Sequence, residues 1–182
     1  LYPQPAAVMT ALAACDTLEH CVQLLTRSRK RLGPGLTGFE VMSRHALDLV
    51  ARHFPNLPRP LPAAPWTALL EQSGGEDEAR ARELFEGLLA DALEQGVIGD
   101  AVVAESLAQS QALWHLRESI PLAQSEEGPN IKHDIALPVS NIAAFVAHTD
   151  AALQARLPGV QLVNFGHLGD GNLHYNVQAP QG

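Results

Sequence analysis

NFGHLGDGNLHYNV, residues 164–177, decides how this chain folds. The segments it joins, GVQLVNFG (159–166) and NLHYNVQA (172–179), read as strands. Between them Gly169 and Gly171 flank Asp170. Glycine reaches positive φ without steric cost and Asp tolerates it, so the chain can reverse sharply there. The stretch therefore predicts an antiparallel pair with one imidazole near the end of each strand, His167 and His174.

Working outward, the helical spacing of VMTALAACDTLEHCVQLLTRSRKR (8–31) predicts one helix with a break near Asp16. LTGFEVMS (36–43) reads as a strand and RHALDLVARHF (44–54) as a short helix. FPNLPRPLPAAP (54–65) is an extended connector, because each proline removes a donor and resists helix. WTALLEQS (66–73) reads as a strand and GGEDEARARELFEGLLADALEQG (74–96) as a helix with an acidic first turn and a glycine stop. GDAVVAES (99–106) is a strand, and ESLAQSQALWHLRESI (105–120) a helix stopped by Pro121. KHDIALPV (132–139) is a strand, and SNIAAFVAHTDAALQARL (140–157) a helix that Ser140 can cap. Strands alternate with amphipathic helices, without a long-period repeat. The expectation is an α+β fold, a mainly antiparallel sheet with helices on one face, arranged as ferredoxin-like halves.

Composition narrows the function. The 182 residues are 46% hydrophobic and 18% charged, which suits a globular domain rather than a disordered chain. A net charge of −8 and a pI near 5.4 exclude nucleic acid and anionic membrane as expected partners. The basic run RSRKR (27–31) ends at Gly33 and reads as the cationic end of a helix. No stretch reaches the roughly 18 apolar residues of a membrane span, and no signal segment is visible. The chain opens on LYPQP without methionine, the expected mark of a processed or excised segment. Cys15 and Cys21, six apart, fall on different faces of a helix, so no disulfide framework is expected and a cytoplasmic location fits.

GPGLTG (33–38) spells a dinucleotide fingerprint, but it follows a helix and opens a strand, so it reads as a turn. DGNLH (170–174) lacks the spacing of a calcium loop. Trp66 and Trp114 read as core. Two neutral imidazoles at one turn suit a divalent metal, zinc above all, yet a site needs a third ligand. Spacing does not name it; Glu126, Glu127 and Asp134 are the carboxylates within reach of the chain.

LWHLRESIP (113–121), IKHDIALPVSNI (131–142) and NFGHLGDGNLHYNV together resemble the C-terminal domain of FAD-linked oxidases. These are the flavoprotein 2-hydroxyacid dehydrogenases that include D-lactate dehydrogenase and glycolate oxidase. The pairing of LRESIP with IKHDIALPVS is most similar to the D-2-hydroxyglutarate dehydrogenase branch, and the likeness runs through the whole chain.

The resemblance implies a single cap domain over residues 1–182. It would work with an FAD-binding domain in oxidising a D-2-hydroxy acid to the 2-oxo acid. It implies that His167 and His174 bind a divalent metal, usually zinc. Arg117 would grip a substrate carboxylate, Lys132 assist, and Asn176 line the site. Their chemistry agrees: arginine offers a planar fork for a carboxylate, lysine a point charge. His133 and His115 adjoin these positions and read as structural.

The chain departs from the family in stopping at Gly182, before an EHG segment that implies the third ligand and a candidate base. Pro121 stands where some relatives have threonine. The isolated chain is therefore expected neither to hold FAD tightly nor to turn over substrate, and His-only chelation to be weak and pH-sensitive. Two other readings compete: a standalone metal-binding or metallohydrolase module, and a ferredoxin-like interaction domain without a site. An exposed apolar patch is expected where an FAD domain docks, and the same patch would let two copies pair as a homodimer.

Overall fold

The computed structural model describes residues 8–74 and 77–180. In chain order its elements are β1 (Val8–Cys15), α1 (Leu18–Leu32), β2 (Leu36–Ser43), α2 (Arg44–His53), β3 (Trp66–Ser73), α3 (Glu78–Glu94) and β4 (Asp100–Val103). There follow α4 (Leu107–Glu118), α5 (Ile120–Glu127), β5 (Asn130–Ile131), β6 (Asp134–Ala136), α6 (Val139–Arg156), β7 (Gln161–Gly166) and β8 (Asn172–Gln178). The opening LYPQP, residues 75–76 of the helix expected over 74–96, and the last two residues lie outside the described residues.

Every strand pairing is antiparallel, in the order β4-β1-β3-β2-β7-β8-β5, with β6 also on β8. The α+β class expected from the sequence is the class observed. The first half, β1–α1–β2–β3–α3–β4, follows the ferredoxin-like connection with α2 inserted before β3. The second half adds the β7–β8 hairpin beyond β2, with α6 leading into it from β6.

The layering differs from one covered face. Alternate residues of the central strands feed two cores. Ala11, Ala13, Val41, Ala68 and Leu70 pack with α1, α3 and α6. Leu12, Met42, Leu69, Val163 and Phe165 pack with α2, α4 and α5. A sheet buried on both sides has strands that read as continuous apolar runs, which periodicity cannot separate from helix. That is why residues 8–15, expected as helix, are strand β1, buried at seven of its eight positions. The helix begins only after Thr17, whose side chain accepts from the His20 amide. Cys15 and Cys21 are consequently not on one helix; both are free and buried.

Two further differences bear on the site. Pro121 does not end a helix. It sits in the first turn of α5, where a missing N–H costs nothing. The expected strand over 132–139 is split into the short β5 and β6, with Lys132 and His133 between them, and Pro138 rather than Ser140 stands at the start of α6.

α4 crosses the sheet and lays one stripe, Ser110, Trp114 and Arg117, over successive strands. The Ser110 hydroxyl lies 2.5 Å from that of Thr10 on β1. Trp114 Nε1 donates to Glu71 of β3 at 2.7 Å, and Arg117 Nε to Glu40 of β2 at 3.2 Å. The match is geometric: a helix advances about 5.4 Å per turn and strands lie about 4.8 Å apart. Gly38 of β2 makes room, since a Cβ there would stand 3.2 Å from the Trp114 ring. Large exposed apolar side chains are spread over different elements: Val8, Leu93, Leu107, Leu122, Ile131 and Leu157.

Candidate functional site

β7 ends at Gly166, and a 3₁₀ turn over Leu168–Asp170 leads to Gly171 at φ 70°. A side chain on Gly171 would be strained by that φ and would run into the Leu137 carbonyl. Glycine is therefore required twice over, and β8 follows at once. The hairpin expected from the sequence forms, and Phe165 pairs with His174 across it.

His167, just past β7, keeps a side chain 60% exposed, with Nδ1 2.7 Å from Oε1 of Glu40. Glu40, only 1% exposed, bridges to Arg117 through Oε2. The Arg117 side chain is 11% exposed and lies over the Phe165 ring at 4.7 Å, a cation–π contact. Phe165 packs in turn against the His174 ring, centroids 4.8 Å apart. His174 Nδ1 is 2.5 Å from Oδ1 of Asp134, its cross-strand neighbour on β6. One continuous set of contacts therefore runs Arg117, Glu40 and His167 on one side, Phe165, His174 and Asp134 on the other.

Both histidines line an open cleft of about 290 Å³ with Asp134, Asn172 and Leu173. His167 also borders a second cleft of about 260 Å³, with Arg29, Thr37 and Asp170. His174 is hydrogen-bonded through Nδ1 to Asp134, the arrangement that orients a histidine for a metal through Nε2, whereas His167 meets Glu40 as an ion-pair contact without hydrogen-bond geometry. Among the described residues no group of three or more His, Cys, Asp or Glu side chains is placed to hold an ion. No complete ligand set for a divalent metal is therefore present among the described residues, and Glu126 and Glu127 do not join the two histidines. Glu127 instead holds Arg52 and His53 of α2.

Of the other expected site residues, Lys132 is exposed between β5 and β6 and makes no hydrogen bond or ion pair to a described residue. Asn176 is buried with both ends engaged. Its Nδ2 donates to Gln124 Oε1 at 2.8 Å, and its Oδ1 accepts from the His133 amide at 3.3 Å. Glu40 was not anticipated; the available signal was a lone acid in an otherwise apolar strand. The partnership of Asp134 with His174 was missed as well, because the register of β6 on β8 creates it. GPGLTG is a 3₁₀ turn leading into β2, as read, so it offers no phosphate-cradling loop at a helix N-terminus for a dinucleotide.

Residues 4–182 match the family described as "FAD linked oxidases, C-terminal domain". The chain is 33% identical over 180 residues to the mitochondrial D-2-hydroxyglutarate dehydrogenase of Arabidopsis thaliana, covering 98% of this chain and 32% of that protein. It is 35% identical over 177 residues to the Rattus norvegicus protein of that name, covering 97% and 32%. It is 36% identical over 180 residues to D-2-hydroxyglutarate dehydrogenase of Xanthomonas citri pv. viticola, covering 98% and 36%. The chain spans about a third of the length of these relatives.

Among solved structures, p-cresol methylhydroxylase with substrate bound is similar with a TM-score of 0.66 at 11% identity, over 98% of this chain and 40% of that one. Alkyldihydroxyacetonephosphate synthase is similar with a TM-score of 0.62 at 12% identity, over 99% and 38%. At such identities the likeness is one of fold.

Proposed function

Since the chain belongs to the family of FAD-linked oxidase C-terminal domains, we propose that it is the substrate- and metal-binding cap of an FAD-dependent dehydrogenase. Its substrate is a D-2-hydroxy acid of the D-2-hydroxyglutarate or D-lactate type, oxidised to the 2-oxo acid. The relatives' names support that choice.

The observation that carries the reading is the state of Arg117. It gives Nε to Glu40 and its flat face to Phe165, while neither terminal nitrogen has a partner among the described residues. That free edge is the planar fork that takes a carboxylate through two parallel hydrogen bonds. Lys132, unpaired and two residues from Asp134 of the cleft, is assigned a second carboxylate as a point charge. Asn176, two residues beyond His174, is assigned a substrate contact or the support of one.

His167 and His174 are proposed to hold a divalent metal, zinc by ligand type, with the third ligand and the base supplied from outside the described residues. A bound metal would supply Lewis-acid polarisation of the 2-hydroxyl, and a bound flavin the hydride acceptor. The dinucleotide itself is assigned to a separate FAD-binding domain, the partner proposed for this cap; a second copy of the chain is the other occupant to test. Two free, buried cysteines suit a reducing compartment, the cytoplasm or, as several relatives are named, mitochondria.

The test is anaerobic reduction of the flavin-loaded protein that carries this domain. D-2-hydroxyglutarate or D-lactate is expected to bleach the flavin. Arg117→Met is expected to lower kcat/KM about 30-fold or more, since truncating a buried charge-pair partner costs about 2 kcal/mol or above. A flavin that neither acid reduces removes the substrate reading.

A further inference from the structure

The last polar rung of α4 spans two strands. Arg117 gives Nε to Glu40 of β2 at 3.2 Å, and its guanidinium carbon stands 4.7 Å from the ring centre of Phe165 on β7. Strand register explains why both meet one side chain. Met42 pairs with Phe165, and Glu40 lies two residues before Met42, so Glu40 and Phe165 project from the same face of the sheet.

The two contacts constrain different motions. A hydrogen bond at Nε pins one edge of the guanidinium but leaves its plane free to turn about that bond. An aromatic face fixes the plane, because a cation is drawn to the negative face of the ring. Together they leave the terminal nitrogens as the free edge and set where that edge lies. The same ring stands 4.8 Å, centre to centre, from the His174 imidazole. Guanidinium and imidazole are thus both gauged from one side chain, buried in the core of the α2–α5 face.

We propose that Phe165 is a positioning residue for carboxylate recognition: its ring holds the plane of Arg117, and so the free edge of the fork, at a set reach from the His174 side of the cleft. The role rests on the function proposed above. Arginine has many rotamers, and ordering such a side chain at the moment of binding costs affinity. The ring orders it on folding instead, so the substrate meets a fork already oriented. The contribution is to binding, and its loss is read in KM rather than kcat.

Phe165→Leu would confound that role with a cavity in the core; fluorinated rings do not. One, two and three fluorines on the Phe165 ring, introduced by site-specific incorporation, keep its shape nearly intact while draining the negative face stepwise. The measurement is anaerobic flavin reduction by D-2-hydroxyglutarate and D-lactate in the flavin-loaded protein that carries this domain, in native and Arg117→Met backgrounds. With Arg117 present, KM is expected to rise stepwise with kcat little changed. The rise should reach about 5-fold at three fluorines, the loss of a contact worth about 1 kcal/mol. In Arg117→Met no step is expected, because the cation that the ring holds is gone. Equal losses in both backgrounds make Phe165 a packing residue and overturn the proposal, and so does a KM indifferent to fluorination. Both of those outcomes leave the substrate reading standing. A native protein whose flavin neither acid reduces removes that reading, and the proposal with it.

Discussion

Asn176 reaches toward α5 with its amide nitrogen and toward the His133 amide with its oxygen. Truncation would leave the Gln124 oxygen without its donor and the His133 N–H without its acceptor. The stranded group on the buried Gln124 side chain costs roughly 1–3 kcal/mol. Asn176→Ala is therefore expected to lower the urea-unfolding free energy by about that amount or more. A raised KM with unchanged stability would instead make its role a direct substrate contact. Around this residue the sequence was unevenly legible. Two histidines about a glycine turn announce themselves, because the residue types and the turn chemistry are both local. The carboxylates behind them do not. Glu40 and Asp134 meet their partners only through strand register and through α4, and neither leaves a trace in spacing along the chain.

At the scale of elements, α4 acts as a crossbar. Ser110, Trp114 and Arg117 each hand a polar group to a different strand, so the position of Arg117 depends on the two contacts behind it. Trp114→Phe keeps most of the ring but withdraws the Nε1–H donor from Glu71, leaving that carboxylate with the Thr10 hydroxyl. The expected cost is roughly 1–3 kcal/mol in thermal or urea unfolding, together with a raised KM for the 2-hydroxy acid as Arg117 loses its register. Destabilisation with KM unchanged would show that Arg117 is held by Glu40 and Phe165 alone. The amphipathic elements α1, α2, α3 and α6 were readable because each has one apolar stripe. β1, buried on both faces, lacked a period to read, and Pro121 was taken for a stop because a proline in the first turn of a new helix looks locally like the end of the old one.

Over the whole molecule, the two faces of the sheet carry carboxylates of opposite acid response. On the α2–α5 face, Glu127 is held below the ordinary carboxylate range, first by His53 and then by Arg52, against the opposing effect of burial. Its contribution to stability is complete above the unfolded glutamate value of 4.5 and is lost as pH falls through the lower folded value. On the opposite face, Asp150 of α6 accepts from the Tyr175 hydroxyl of β8. Burial raises the Asp150 carboxyl above 3.8 despite that hydrogen bond, and pushes the Tyr175 phenol above its usual range. Between the unfolded and folded values of Asp150 the native state binds more protons, so stability there falls as pH rises and is regained on acidification. Acid should therefore loosen the α2–α5 face while the α6–β8 tie holds. Native-state hydrogen exchange from pH 7 to pH 3 is expected to show the α5 amides of Ala123 and Gln124 losing protection before those of Ile142 and Val146 in α6. Glu127→Gln should abolish most of that difference by weakening the α5 amides already at pH 7, and Asp150→Asn should flatten the pH dependence of α6 instead. Uniform loss of protection on both faces would show that the sheet transmits the change whole, and that the two carboxylates do not act on separate layers.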